Sequence, residues 1–246
     1  PRTTPNDDDS GAKRHSRINR SAATNKVCSW RLNMHRKKVV LATHNPGKLR
    51  ELKALLLGTD LECKSQAEYR VPEVPETGQT FFENALIKAR HACRYSGLPS
   101  IADDSGLMVD CLQGAPGVHS ARFAGEKATD SDNLKKLLQA VRDFSAEERN
   151  ARFQCAMVYL RSESDPSPLI SVGTWEGRIS MIKRGHHGFG YDPVFLVIGL
   201  KRTSAELEPQ EKNRLSHRGQ ALRQLVEQLR QEYLLRGQNP ARRSTG

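Results

Sequence analysis

What this chain lacks narrows its class. No run of about 18 consecutive apolar residues occurs, so nothing reads as a membrane-spanning helix. The N-terminal region has no apolar core of the kind a secretory signal requires. No Cys-x-x-Cys pair is present, and the five cysteines (Cys28, Cys63, Cys93, Cys111 and Cys155) are odd in number and far apart. That argues against a disulfide framework or a zinc knuckle and for a reducing, cytoplasmic setting. The G-x-x-x-x-G-K-[ST] phosphate loop is missing, and no internal repeat is visible. Aromatic residues are scarce at 6%, yet an apolar content of 37% over 246 residues supplies a core for one generous domain or two small lobes.

The formal net charge of +11 suggests a nucleic-acid partner until it is located. Residues 1–38 hold ten basic side chains against Asp7, Asp8 and Asp9, a net +7, which leaves +4 for residues 39–246. The excess belongs mostly to a Ser-, Thr-, Asn- and Arg-rich leader with little periodic apolar content, expected to be disordered over 1–36. Its aspartates argue against a transit peptide. Met34 stands just ahead of the first predicted strand, so native translation is expected to begin near it, with the leader as non-native upstream sequence. The folded domain is expected over 37–235 and a disordered tail over 236–246. The folded part then calls for no nucleic acid and no membrane.

Hydrophobic patterning supplies the elements. Residues 38–43 (KVVLAT) read as a buried strand, broken by His44-Asn-Pro-Gly47, and 48–57 as a helix with Leu49, Leu52, Leu55 and Leu56 on one stripe. A second strand is predicted over 61–64. Thr80-x-x-Glu83 is a capping box opening a helix whose Phe81, Phe82, Ala85, Leu86, Ala89 and Cys93 share a face as far as Ser96-Gly97. Two strands, 99–103 and 107–110, are predicted around an Asp-Asp-Ser-Gly turn. Asp130 or Ser131 caps a helix to about Val141; 151–160 reads as a long strand, and 169–175 with 177–182 as a strand pair. A strand follows over 191–197, and Ser216 precedes a last helix with Ala221, Leu222, Leu225, Val226 and Leu229 inward. The run of strands from 151 to 197 interrupts the helix–strand alternation, which predicts an α/β fold on a mixed sheet.

Candidate chemistry centres on Ser100-Ile-Ala-Asp-Asp-Ser-Gly106. A short apolar run delivers Asp103 and Asp104 with no Lys or Arg beside them in sequence. Such carboxylates suit holding a hard cation such as Mg²⁺ or taking a proton from water, and equally suit capping a turn. Adjacent strand residues point to opposite faces, so both enter one site only if the strand bends. Thr43, His44, Asn45, Pro46, Gly47 and Lys48 form a strand–turn–helix start whose N–H groups favour an anion, though ordinary βα turns look the same.

Ser216-His217-Arg218 sets two basic residues in a first helical turn, against the macrodipole. Either an anionic ligand supplies the missing charge, with Lys212 near it, or His217 is neutral and Arg218 pairs with a glutamate such as Glu211. Gly188-Phe-Gly-Tyr-Asp192 offers close backbone approach and a ring for stacking, or aromatics tucked into a core. His186-His187 lacks the spaced partners a zinc site needs. Glu76 is a loop acid able to complete a cation site. Glu83 is already explained by the capping box, and Asn84 is free to face a cleft.

The segments VVLATHNPGKLREL, PETGQTFFENALIKARHA, IADDSGLMVDCLQGAPGVHSARFAG, GFGYDPVF and SHRGQAL, in that order, closely resemble the non-canonical purine nucleoside triphosphate pyrophosphatases, the inosine triphosphatase family. The resemblance covers Lys38 to about Leu229. It implies an elongated mixed β-sheet flanked by helices, two lobes with an active-site cleft between them, and a homodimer. It also implies Mg²⁺-dependent hydrolysis of ITP, dITP and XTP to the monophosphate and pyrophosphate. On the matching motifs, Asp104 becomes the proton acceptor and a Mg²⁺ ligand, with Glu76 as a second ligand. Thr43 to Lys48 hold phosphate, and Ser105 touches substrate. Phe189, Gly190, Tyr191 and Asp192 wall the base, while Lys212, His217 and Arg218 hold the nucleotide. One departure falls at Pro75, where many members carry an acid before the Glu-Thr-Gly. Pyrophosphatases for modified pyrimidine or canonical nucleotides, phosphatases releasing orthophosphate, and a nucleic-acid module built on the leader are the rival readings.

Overall fold

The computed structural model describes residues 37–237, with side chains to 234; the leader predicted over 1–36 and residues 238–246 lie outside the described residues. Strand β1 (Lys37–Leu41) starts the sheet and leads into α1 (Pro46–Leu56). Proline at the first helical position costs no hydrogen bond, and the Asn45 side chain caps the turn by accepting the Lys48 N–H. Strand β2 (Leu61–Ser65) follows, then α2 (Phe81–Ser96), whose Thr80–Glu83 capping box is present as predicted and whose end is a left-handed Gly97. Strand β3 (Ser100–Val109), α3 (Asp130–Ala140), β4 (Asn150–Leu160), β5 (Leu169–Ile179) and β6 (Phe195–Val197) come next. Two helices close the chain, α4 (Pro209–Leu215) and α5 (His217–Gly237).

The six strands run in the order β2-β1-β3-β4-β5-β6. β1 is parallel to β2 and β3, and the remaining pairings are antiparallel, so the sheet is mixed, as the strand run from 151 to 197 predicts. Side chains of successive residues go to opposite faces. Val39, Leu41 and Ile101 pack with Leu52 and Leu56 of α1 and with Leu222 and Leu225 of α5. Val40, Ala42 and Ala102 pack on the other face with Ala85, Ala89 and Ala92 of α2. A third core, around Leu107, Val109, Leu137, Phe153, Trp175 and Phe195, occupies the opposite end of β3 and β4. β3 therefore runs from one packed region into another, with its acids at the junction.

Five expectations need correction. Asp-Asp-Ser-Gly is not a turn: β3 is continuous, and Asp103, Asp104, Ser105 and Gly106 pair with Met157, Ala156, Cys155 and Gln154 of β4. Gly106 is there for a close approach, since a Cβ would collide with the Gly117 carbonyl and the Ser120 hydroxyl. The predicted 169–175/177–182 pair is one strand, β5; Gly177 does not break it but makes room for the Phe195 ring. Thr129, rather than Asp130 or Ser131, caps α3 through a box with Asp132. Helix α4 was not foreseen. α5 continues through 236 and 237, where the tail was expected to begin. Its first turn lies so near β5 that Gly173 faces the His217 carbonyl with no room for a side chain.

Candidate functional site

The two aspartates of β3 part company, as strand geometry requires when no bend intervenes. Asp103 turns toward α1 and α5. It lies 3.1 Å from Lys48 Nζ, accepts from Arg218 Nε at 3.3 Å, and its side chain is wholly buried. Burial alone would raise its pKa, but Lys48, Arg218 and Lys88 outweigh that and hold the carboxyl well below the usual range. Asp104 turns toward α2, where Asn84 Nδ2 donates to Oδ2 at 3.1 Å and Lys88 Nζ to Oδ1 at 3.2 Å. Here burial wins over Lys88 and Lys48, and with nearby Glu76 it pushes the carboxyl upward. Neighbouring acids pushed in opposite directions divide naturally into a fixed anion and a stronger base.

On the α1 and α5 face, acids and bases alternate. Glu51 of α1 bridges Lys212 Nζ (2.8 Å) and Arg218 Nη1. Lys212 also donates to Asp192 Oδ2 at 2.6 Å, and Arg218 Nη2 donates to Ser105 Oγ at 2.8 Å. Three cations (Lys48, Lys212, Arg218) thus meet three anions (Asp103, Glu51, Asp192). Burial works against charge on Glu51 and Lys212, yet Arg218 and then Lys212 lower the carboxyl, and Asp192 and then Glu51 raise the ammonium, so both stay ionised. On the α2 face the ratio differs: Lys88 alone faces two acids, at 3.2 Å from Asp104 and 3.0 Å from Glu76. Burial would discharge Lys88, but those carboxylates keep it protonated.

The Gly188-Phe-Gly-Tyr-Asp192 segment is braced internally and externally. Asp192 accepts from the Phe189 N–H and from Ser204 Oγ, and Tyr191 donates its hydroxyl to the Ser120 carbonyl at 2.8 Å. The Phe189 ring rests over Gly47, where a Cβ would meet it at 2.7 Å, and the Lys212 ammonium lies 5.0 Å from the ring centre. His217 is buried and stacks on Phe153, with ring centres 4.8 Å apart and planes at 12°. Burial and then the Arg218 and Lys212 charges depress its pKa well below 6.5, so the ring is neutral. Its Nδ1 is buried without a hydrogen-bond partner. The glutamate paired with Arg218 is Glu51; Glu211 instead pairs with Arg202.

These groups surround one cavity of about 450 Å³. Of the residues singled out in the sequence, Thr43, His44, Asn45, Lys48, Glu76, Asp104, Ser105, Phe189, Gly190, Tyr191, Asp192, Lys212, His217 and Arg218 line it. Pro46 and Gly47 do not: Pro46 is exposed, and Gly47 is buried under the Phe189 ring. His44 leans on the neighbouring loop, its Nδ1 facing Gln66 Nε2 at 2.7 Å and its Nε2 facing the Val71 carbonyl at 3.3 Å. Sequence reading missed Glu51 and Lys88. Helical spacing held the signal for both. Glu51 stands three residues after Lys48, and Lys88 four after Asn84, so each shares a face with a residue already suspected.

Glu76 and Asp104, joined through Lys88, are the hard-oxygen donors suited to a magnesium ion, which often takes one or two carboxylates and leaves its other positions to water and substrate phosphates. Among the described residues no group of three His, Cys, Asp or Glu side chains gathers, so the set fits an ion arriving with its substrate better than one fully caged by protein. Lys88 lies between the two acids, so an ion at this spot would compete with that ammonium for them.

The profile of the Ham1 family matches residues 39–228. A dITP/XTP pyrophosphatase of Vibrio parahaemolyticus serotype O3:K6 is 56% identical over 193 residues, which is 78% of this chain and 96% of that protein. A dITP/XTP pyrophosphatase of Methylococcus capsulatus is 56% identical over 195 residues, 79% of this chain and 97% of its own length. Among solved structures, a HAM1 protein from Coxiella burnetii aligns with a TM-score of 0.74 at 49% identity, covering 79% of this chain and 99% of that one.

Proposed function

The chain belongs to the Ham1 family, and from that premise we propose that it hydrolyses non-canonical purine nucleoside triphosphates (dITP, XTP and ITP) to the monophosphate and pyrophosphate. The observation that carries this reading is the split of charge across β3. Lys48, Lys212, Arg218 and Asp192 line one side of the cavity, with the partner acids Asp103 and Glu51 set behind the cations, and an acid-rich pair with one lysine lines the other. Lys48, Lys212 and Arg218 are held rigidly by their acids and offer fixed positive potential to a polyanion without having to reorganise. Phe189 supplies a flat apolar surface for a purine.

In this reading Asp104 takes the proton of a water attacking the α-phosphorus, and pyrophosphate leaves. Its upward-shifted carboxyl favours that role, while Asn84 and Lys88 fix its orientation. Asp103 stays ionised and anchors Lys48 and Arg218. Asp104 and Glu76 would hold Mg²⁺, which when bound neutralises phosphate charge and assists the leaving group.

We also propose a homodimer acting in the cytoplasm. Outward-facing Ile170 and Val172 on β5 support the first, and the free cysteines Cys63, Cys93, Cys111 and Cys155 are in keeping with the second. No helix among the described residues is long and apolar enough to cross a membrane. The deciding experiment incubates the protein with XTP, ITP, dUTP or GTP and Mg²⁺ while assaying pyrophosphate and orthophosphate separately. Pyrophosphate released preferentially from ITP and XTP is expected; orthophosphate, or preference for dUTP or GTP, overturns the reading.

A further inference from the structure

The Phe189–Gly190 turn is a thin partition. In front of it lies the 450 Å³ cavity; behind it is a second hollow of about 300 Å³, bordered by Lys183, His186 and His187, and Asp130 borders both, as does the turn itself. A wall with space on both sides is held by packing only along part of its surface, because the rest has no atoms to contact. Its inner end is fixed by Asp192, which accepts the Phe189 N–H, and by Gly47 beneath the ring. Its outer end is Gly190, at a φ of 60° and with nothing within 4 Å of a Cβ position, so no side chain packs there.

What ties this end down comes from another element. Gly190 donates its main-chain N–H to Asp130 Oδ2 at 2.9 Å. Asp130 is the first residue of α3, and the start of that helix is already satisfied by Thr129 and Asp132, which leaves the Asp130 carboxylate to reach across the turn. We propose that Asp130 is a positioning residue that sets the width of the base-binding chamber by keeping the Phe189–Gly190 partition from moving into the hollow behind it. The inference rests on reading the front cavity as the nucleotide site. It concerns how firmly the base is gripped; the chemistry at phosphorus belongs to Asp104 on the α2 side.

Two measurements on Asp130→Ala and Asp130→Asn test it. In the first, amide hydrogen exchange at Gly190 is followed without substrate. Exchange should quicken in the alanine variant and stay near wild type in the asparagine variant, whose amide oxygen still accepts. In the second, turnover of ITP with Mg²⁺ is measured: KM should rise about fivefold in the alanine variant, the equivalent of one ordinary hydrogen bond, with kcat within about twofold of wild type. The asparagine variant should recover most of the loss. Unchanged Gly190 exchange overturns the proposal whatever the activity, as does an asparagine variant as impaired as alanine or a kcat that falls while KM holds. Altered exchange in a wild-type background that hydrolyses neither ITP nor XTP would instead bring down the functional reading and leave the brace standing.

Discussion

Asp103 and Asp104 share a peptide bond yet face opposite sides of the sheet, one held by Lys48 and Arg218, the other by Asn84 and Lys88. The first is stabilised as an anion by its surroundings and the second is made more basic, so substitution should separate their roles.

Asp104→Asn preserves the shape of the side chain and removes its ability to take a proton. We expect kcat to fall by about 10²- to 10⁴-fold, the usual worth of a general base, while ITP still binds by calorimetry. Near-normal turnover would take Asp104 out of the mechanism.

Lys88 competes for the two carboxylates assigned to magnesium. Its replacement in Lys88→Met removes a positive charge 3.2 Å from Asp104 and 3.0 Å from Glu76, so Mg²⁺ should bind the substrate-free protein more tightly in a calorimetric titration. Unaltered affinity would mean that this pair is not where the ion sits.

Glu51→Gln leaves Lys212 and Arg218 each with one anion in place of two. Both cations are almost fully buried, and breaking part of so enclosed a network should cost about 2 kcal/mol in urea denaturation. Glu211→Gln, which interrupts the more exposed pair with Arg202, serves as the control and should cost under about 1 kcal/mol. Equal losses would show that the Glu51 bridge carries no special weight.

His217 sets a pH dependence of stability. Its folded pKa lies below the ordinary 6.5, so as pH falls through that value the unfolded chain takes up a proton before the folded one does. Stability present above pH 6.5 is therefore lost on acidification, with a slope of up to about 1.4 kcal/mol per pH unit. His217→Gln should flatten that slope between neutral pH and pH 5; the same slope in both proteins would show that the ring does not stay neutral on folding.

Much of this site was legible in the sequence because its parts sit at helix and strand boundaries, where residue choice is most constrained. Thr80 and Glu83 announce the start of α2 and Ser216 that of α5, while Asn45 and Pro46, read as part of a break before a helix at 48, in fact cap and open α1. Glycine misled where it serves tertiary closeness: Gly106 and Gly177 suggested breaks in strands that run straight through. The acids of β3 seemed unpaired because Lys48, Lys88 and Arg218 reach them from other elements, the last from 115 positions away. Lys212 and Arg218 were visible as residues with something to bind, but Glu51, which binds both, looked like any surface glutamate on an amphipathic helix.

The Glu51 bridge has a consequence for how the protein is made. The glutamate leaves the ribosome 161 residues before Lys212 and 167 before Arg218, so it waits through most of synthesis for the partners that complete its cluster. A nascent chain ending near residue 200 already contains all six strands and the Asp104 carboxylate, but not α4 or α5. It should collapse around its sheet without assembling a nucleotide pocket, and activity should switch on only when the C-terminal helices dock.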